Sequence, residues 1–513
     1  STVTPLEEER RVYDSATNET VQYGVQYTIT INGWKQSANQ VKIKILEDAI
    51  KDETGNGNKE KEFIIYNCLE SSATEKYGYD GFLDGNGIGE SGATTGIERQ
   101  QIQQVIFVDS LAGSTAAGVQ KVWDVSAITD GSIKAWTLQT AAPYTVYVGS
   151  DNEIFANQNA SFLFNRIGYD NWTHIFTETE AIVNIEKLNV SSVTNMESMF
   201  YLTGYSTMTS LDLGEKFDTS NVTDMNSMFL SCGGTAMITL DLGEKFDTGN
   251  VTNMKSMFYQ CGETAMTSLN LGTKFNTSKV TTMVSMFEEC GYSAMTSLDL
   301  SSGTSISNTT QFNTISVTNM QYMFKNCGYT AMISLNLGSN FNTSNVTNMT
   351  YMFKGCGYSA MTSLTLPNSF DTGKVTDMNS MFDSCGYTAM TSLTLPSSFD
   401  TSSVQNMNQM FYKCGYTAMT SLTLPSSFDT SNVEIMNSMF YSCGYTAMTN
   451  LDLGDSFDTS KVTNMYRMFS HCGYTAMTSL DLGDLFYTTS ATTTQAMFYN
   501  CGNTAMTVLD LGP

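Results

Sequence analysis

The chain has 513 residues, with 50 acidic against 25 basic side chains and a formal net charge of −25. That balance argues against nucleic acid and anionic membrane surfaces, which both select basic patches. No run of about eighteen apolar residues occurs, so no helical membrane span is expected.

The first residues, Ser1-Thr2-Val3-Thr4-Pro5, lack an initiator Met and a signal peptide and read as a processed start. Residues 1–100 carry no repeat and predict a small β-rich module. Val25, Tyr27, Ile29 and Ile31 alternate with polar residues. Asn32-Gly33 follows, a hairpin signal. Residues 37–52 fit a helix or a second strand, with Val41, Ile43 and Ile45 matching alternation. Residues 63–66 have the composition of a buried strand. Further on, Asp80, Asp84, Asn86 and Glu90 look like a fragment of a calcium loop. The bidentate Glu of such a loop would fall on Thr95, so a solvated turn is the plainer reading and calcium the one cofactor to consider. Gly85, Gly87 and Gly89 lack the strand-then-helix frame of a phosphate cradle. Residues 101–190 predict a flank that caps the array. All four tryptophans (Trp34, Trp123, Trp136 and Trp172) precede the array, which points to a more conventional core there.

From residue 191 to 513 the chain is periodic. The pair Met-Phe recurs from Met199-Phe200 to Met497-Phe498, eleven times in ten steps. Nine steps are 29 residues, and the step from Met286 to Met323 is 37, an insertion of eight. A fixed period in this range signals a solenoid whose units bury apolar faces only against neighbours. Within one unit, Leu211 and Leu213 alternate as a short strand, Gly214 breaks it, and Phe217 is an anchor. Asp218-Thr219-Ser220-Asn221 offers helix-start oxygens. Val222, Met225, Met228 and Phe229 then follow at i, i+3, i+6 and i+7, which predicts a helix of about two turns. Gly233 suits a left-handed end, and a linker such as Gly386-Tyr387-Thr388-Ala389-Met390 leads on. The expected fold is an α/β solenoid, a leucine-rich-repeat-like array of short parallel strands and short helices behind the β-rich module.

Several columns follow from stacking. Ten cysteines, from Cys232 to Cys501, share one phase and predict a buried file of small thiols. Pairing between neighbours is the alternative, and metal binding is disfavoured because one thiol per unit has no partner at ligand spacing. Cys68 stands alone. Asp218 and its equivalents through Asp458 predict capping or turn chemistry. The outward strand positions form a hydroxyl field with acidic margins. Its Thr-only middle is Thr362, Ser363, Thr365, Thr391, Ser392, Thr394, Thr420, Ser421 and Thr423, the candidate binding face. β-branched Thr also simply suits a half-exposed pleat.

The string from Phe217 to Cys232, Phe-Asp-Thr-Ser-Asn-Val-Thr-Asp-Met-Asn-Ser-Met-Phe-Leu-Ser-Cys, resembles the BspA-like leucine-rich repeats of bacterial surface proteins. The likeness runs from about residue 190 to the end, with a longer period and the inserted Gly-Tyr-Thr-Ala-Met. Residues 123–136 and 156–164 look like the usual entry to such arrays. The resemblance implies surface exposure and, in some members, adhesion to host proteins or other cells. It implies no catalytic residues.

His174 and His471 are the two histidines, and neither has a Ser or Cys triad partner nearby in sequence. No enzyme is expected. The expected function is a non-enzymatic extracellular or cell-surface scaffold that recognises a host or cell-surface protein or glycan through the strand face, where many weak contacts add up. The alternative is a structural subunit that assembles end to end with copies of itself, because Val508, Leu509 and Leu511 form a strand with no capping unit after it. An ice- or crystal-binding use of the Thr field is a third reading.

Overall fold

In a computed structural model, the described residues are 2–5, 10–14, 19–23, 27–30, 40–45, 61–66, 69, 97 and 99–512, without 127–130, 170–174, 215 and 302–311. The chain divides into two compact units, Ser1–Asn67 and Cys68–Pro513. The first holds β1 (Thr2–Pro5), β2 (Arg10–Asp14), β3 (Glu19–Tyr23), β4 (Tyr27–Thr30), β5 (Gln40–Ile45) and β6 (Lys61–Tyr66). β2 pairs antiparallel with β3, β1 with β4, and β5 with β6. The alternation at Val41, Ile43 and Ile45 is therefore a strand. Asn32-Gly33, where the sequence predicts a hairpin turn, lies outside the described residues.

The second unit opens on β7 (Ile102–Val108), β8 (Lys121–Asp124), β9 (Lys134–Thr137), β10 (Tyr144–Gly149), β11 (Ile154–Phe155), β12 (Ile182–Val183) and β13 (Leu188–Asn189). Five of these make one mixed sheet in the order β12-β7-β10-β9-β8. β7 and β10 lie parallel at its centre. β7 ends in the apolar run Val105-Ile106-Phe107-Val108, and most residues of both strands are buried, as in a sheet covered on both faces. Phe107, Trp123, Val146 and Val148 are fully buried there.

The periodic region gives eleven three-residue strands. They are β14 (Ser210–Asp212), β15 (Thr239–Asp241), β16 (Ser268–Asn270), β17 (Ser297–Asp299), β18 (Ser334–Asn336), β19 (Ser363–Thr365), β20 (Ser392–Thr394), β21 (Ser421–Thr423), β22 (Asn450–Asp452), β23 (Ser479–Asp481) and β24 (Val508–Asp510). Neighbours pair parallel and in register, Leu on Leu. After the first three strands the ladder runs in pairs. Among the described residues no strand pairing joins β16 to β17, β18 to β19, β20 to β21 or β22 to β23.

The segments expected to be helices are not helical. Residues 226–236 and their equivalents are chains of tight turns, preceded by a parallel bridge at Asp224, and the described residues contain no α-helix. Alternate amides take opposite roles. Those of Met228, Leu230 and Cys232 bond three residues back, to Met225, Ser227 and Phe229. Those of Met225, Ser227, Phe229 and Ser231 donate instead to Asn253, Lys255, Met257 and Tyr259 in the next repeat. Such a ribbon needs left-handed residues at fixed intervals. Ser227 (φ 56°) and Ser231 (φ 52°) supply them here, as do Ser380 and Ser384, or Gln409 and Lys413, further on. Each costs roughly 1–2 kcal/mol for a non-glycine residue. A free two-turn helix is itself marginal in water. The ribbon wins because it satisfies every second amide against a neighbour, while apolar residues at i, i+3 and i+7 still point inward. It also starts earlier than the periodicity: Phe162 and Arg166 are left-handed and bond to Glu197 and Tyr201.

The interior is a set of files. Val222, Met225, Met228, Phe229 and Cys232 are fully buried, as are their equivalents through Val462, Met465, Met468, Phe469 and Cys472. The rings of Phe200, Phe229, Phe258 and Phe287 stack with centroids 5.3–5.6 Å apart. A buried threonine crosses each junction. Thr219 Oγ1 donates to the Asp247 carbonyl (2.8 Å), Thr372 to Asp400 (2.6 Å) and Thr430 to Asp458 (2.8 Å). The sequence predicts these threonines as helix-start residues; they instead tie repeats together, since unpaired buried carbonyls are costly.

Candidate binding face

Every strand from β14 to β23 places its central Leu inward and its two flanking residues in solvent, except that Leu269 in β16 is half-buried. All nine candidate face residues, from Thr362 to Thr423, are exposed on β19, β20 and β21 or just before them. Thr391 Oγ1 donates to the Thr362 carbonyl at 3.2 Å. The hydroxyls of Ser363, Thr365, Ser392, Thr394, Ser421 and Thr423 make no hydrogen bond among the described residues. They form a grid with rows about 4.8 Å apart between paired strands and columns about 7 Å apart along each strand. The Thr column is broken by Ile238 and Ile333, which are 52% and 55% exposed.

The acidic margins have a local cause. Asp212 Oδ1 accepts from the Gly214 amide, Asp241 from Gly243, Asp452 from Gly454 and Asp481 from Gly483. The turn after the strand requires an amide two residues on. In β19, β20 and β21 that position is Pro367, Pro396 or Pro425, which has none. There the strand residue is Thr and its hydroxyl stays free. The neutral middle of the face thus coincides with the three proline turns.

The Asp218 row behaves as turn chemistry rather than as helix caps: Asp218 accepts from Ser220, Asp371 from Gly373 and Asp429 from Ser431. The ten thiols are free, and all but the half-buried Cys501 are buried. Burial pushes the Cys290 and Cys501 thiols up to about 12. His471 sits among Tyr441, Tyr445, Tyr474 and Tyr499, with Ser470 Oγ 2.9 Å from Nδ1 and Asn500 Nδ2 3.3 Å from Nε2. Burial and then Arg467 lower its pKa. Val508, Leu509 and Leu511 are exposed on and just after β24 (54%, 37% and 54%). Asp80, Asp84, Asn86, Glu90, Cys68, Trp34, Trp172 and His174 lie outside the described residues. Among the described residues no three His, Cys, Asp or Glu side chains come together as a metal set, and no helix is long and apolar enough to cross a membrane.

Sequence reasoning passed over one surface column, treating its residues as linker. Tyr292, Tyr329, Tyr358, Tyr387, Tyr416, Tyr445 and Tyr474 stack face to face, with centroids 4.4–4.7 Å apart and planes within 2–11°. The signal was present as one Tyr per repeat after the Cys-Gly pair. Gly234 and Glu263 hold this phase earlier, and a Cβ on Gly234 would strike the Tyr205 ring.

No curated protein and no solved structure matches the chain. The family described as "Mycoplasma protein of unknown function, DUF285" matches residues 170–297, 293–420 and 386–509. These matches are tandem and together run over well over half of the 513 residues, so the chain belongs to the DUF285 family.

Proposed function

We infer that the protein is a non-enzymatic extracellular or cell-surface scaffold, a BspA-like solenoid that recognises protein or glycan through its strand face. The observation that carries this reading is the grid of six free hydroxyls on β19, β20 and β21, exposed on a rigid and regular support. Hydroxyls without intramolecular partners offer donors and acceptors at no cost of breaking native bonds. Equal spacing lets a repeating ligand meet several of them at once, so weak contacts multiply. The carboxylates of Asp299 on one side and Asp452 on the other disfavour anionic partners by like charge.

The test is retention of the full chain on immobilised neutral glycans, matrix proteins and cells. We expect binding that falls at least tenfold when Thr365, Thr394 and Thr423 are all changed to Lys. Binding that survives this triple change, or no retention on any of these surfaces, would refute the reading.

A further inference from the structure

We propose that the column from Tyr292 to Tyr474 is an oxidative cross-linking site, at which peroxide, used by a peroxidase, joins successive repeats through dityrosine bonds. The ground is geometric. The six ring separations in this column are shorter than any other ring pair among the described residues. Tyr412–Tyr441 is at 4.9 Å, Tyr322–Tyr351 at 5.1 Å, and the buried Phe files lie at 5.3 Å or more. The rings are also in register. Burial and then Tyr358 raise the Tyr329 phenol, and burial and then Tyr358 and Tyr416 raise the Tyr387 phenol, which places these hydroxyls near one another. Rings 4.4–4.5 Å apart, within 11° of parallel and at one phase of the repeat bring the carbons next to neighbouring hydroxyls to the same edge of the stack. All seven tyrosines are half-buried, so their edges reach solvent while their faces are covered by one another. Covered faces leave little for a sugar to stack on, which separates this column from the hydroxyl grid.

The chemistry balances. Each of two neighbouring phenols gives up one proton and one electron. The two phenoxyl radicals couple by a new carbon–carbon bond between the positions beside their hydroxyls. The two hydrogens on those carbons then move to the oxygens as the rings regain aromaticity. One hydrogen peroxide takes the two electrons and two protons and leaves as two waters. Nine thiols of the cysteine file are buried and so shielded from the oxidant.

The experiment treats dilute full-length protein with a haem peroxidase and hydrogen peroxide, isolates the monomer, and maps links by mass spectrometry. Cleavage after Lys325, Lys354, Lys374 and Lys413 places Tyr329, Tyr358 and Tyr387 on separate peptides. The expected links are Tyr329–Tyr358 and Tyr358–Tyr387, with the blue dityrosine emission in the monomer fraction. In Tyr387→Phe, where the ring and its stacking are kept, links to residue 387 vanish and Tyr329–Tyr358 persists. Links only between molecules, none in the monomer, or links as frequent at Tyr322 and Tyr351 as in the column would overturn the proposal.

Discussion

The two arms of each repeat invert their sequence appearance. The strand arm, β14 to β24, has the alternation of a sheet, yet its ladder breaks after every second strand from β17 onward. The turn arm has the spacing of a helix, yet its amides run between repeats without interruption from Phe162 to Arg467 and His471. Continuity therefore lies in the arm whose side chains are hidden. The strand arm hides one residue in three and can vary the other two, as Thr365 against Asp452 illustrates. The difference teaches that one coil can hold its continuity in the buried arm and leave the exposed positions of the other free to vary between repeats.

Four measurements would break or sharpen this contrast. The largest effect is on the thiols behind the turn arm. With burial raising Cys290 to about 12, a thiol reagent at pH 8 meets roughly a thousandfold less thiolate than on a free cysteine. We expect labelling of the buried file only on unfolding, followed by mass; rapid native labelling would mean the turn arm opens. Next comes Gly386→Ala. The residue has φ 51°, and an added Cβ would run into the Met390 Cβ. Left-handed strain and overpacking together predict a loss of about 2–4 kcal/mol in urea unfolding.

A smaller loss separates two threonines of opposite arms. Thr372→Val removes the bond from the buried Thr372 hydroxyl to the part-buried Asp400 carbonyl and should cost about 1–3 kcal/mol. Thr394→Val, on the exposed face, should change stability by less than about 0.5 kcal/mol. Equal losses would contradict the division of labour between the arms. The smallest effect concerns Glu263, at the tyrosine phase. Burial and then Glu289 raise its carboxyl, so the protonated form is favoured in the fold. Its contribution is fully present below the ordinary carboxylate range and is lost as pH rises through its folded pKa. Glu263→Gln should therefore raise the melting temperature slightly at pH 7, and the gain should disappear near pH 4; a gain that persists at low pH would rule out titration as its source.

The amino-acid order by itself determined the period, the inward files of Val, Leu, Met, Phe and Cys, the short strands and the left-handed Gly233. These are legible because burial is set by residue type and spacing, which a line of text preserves. It also placed Thr362 through Thr423 in solvent, since Leu364, Leu393 and Leu422 alternate with them. Only the tertiary structure decided between helix and turn ribbon at Met225–Cys232, because both put the same residues inside and differ in where alternate amides find partners. Those partners lie 28 residues away, in another repeat. The rungs from Thr372 to Asp400, the close stacking of Tyr358 on Tyr387 and the pairing of β4 with β1 were hidden for the same reason. Each joins groups distant in the chain, and local propensity carries no term for a bond that forms only after neighbours have stacked.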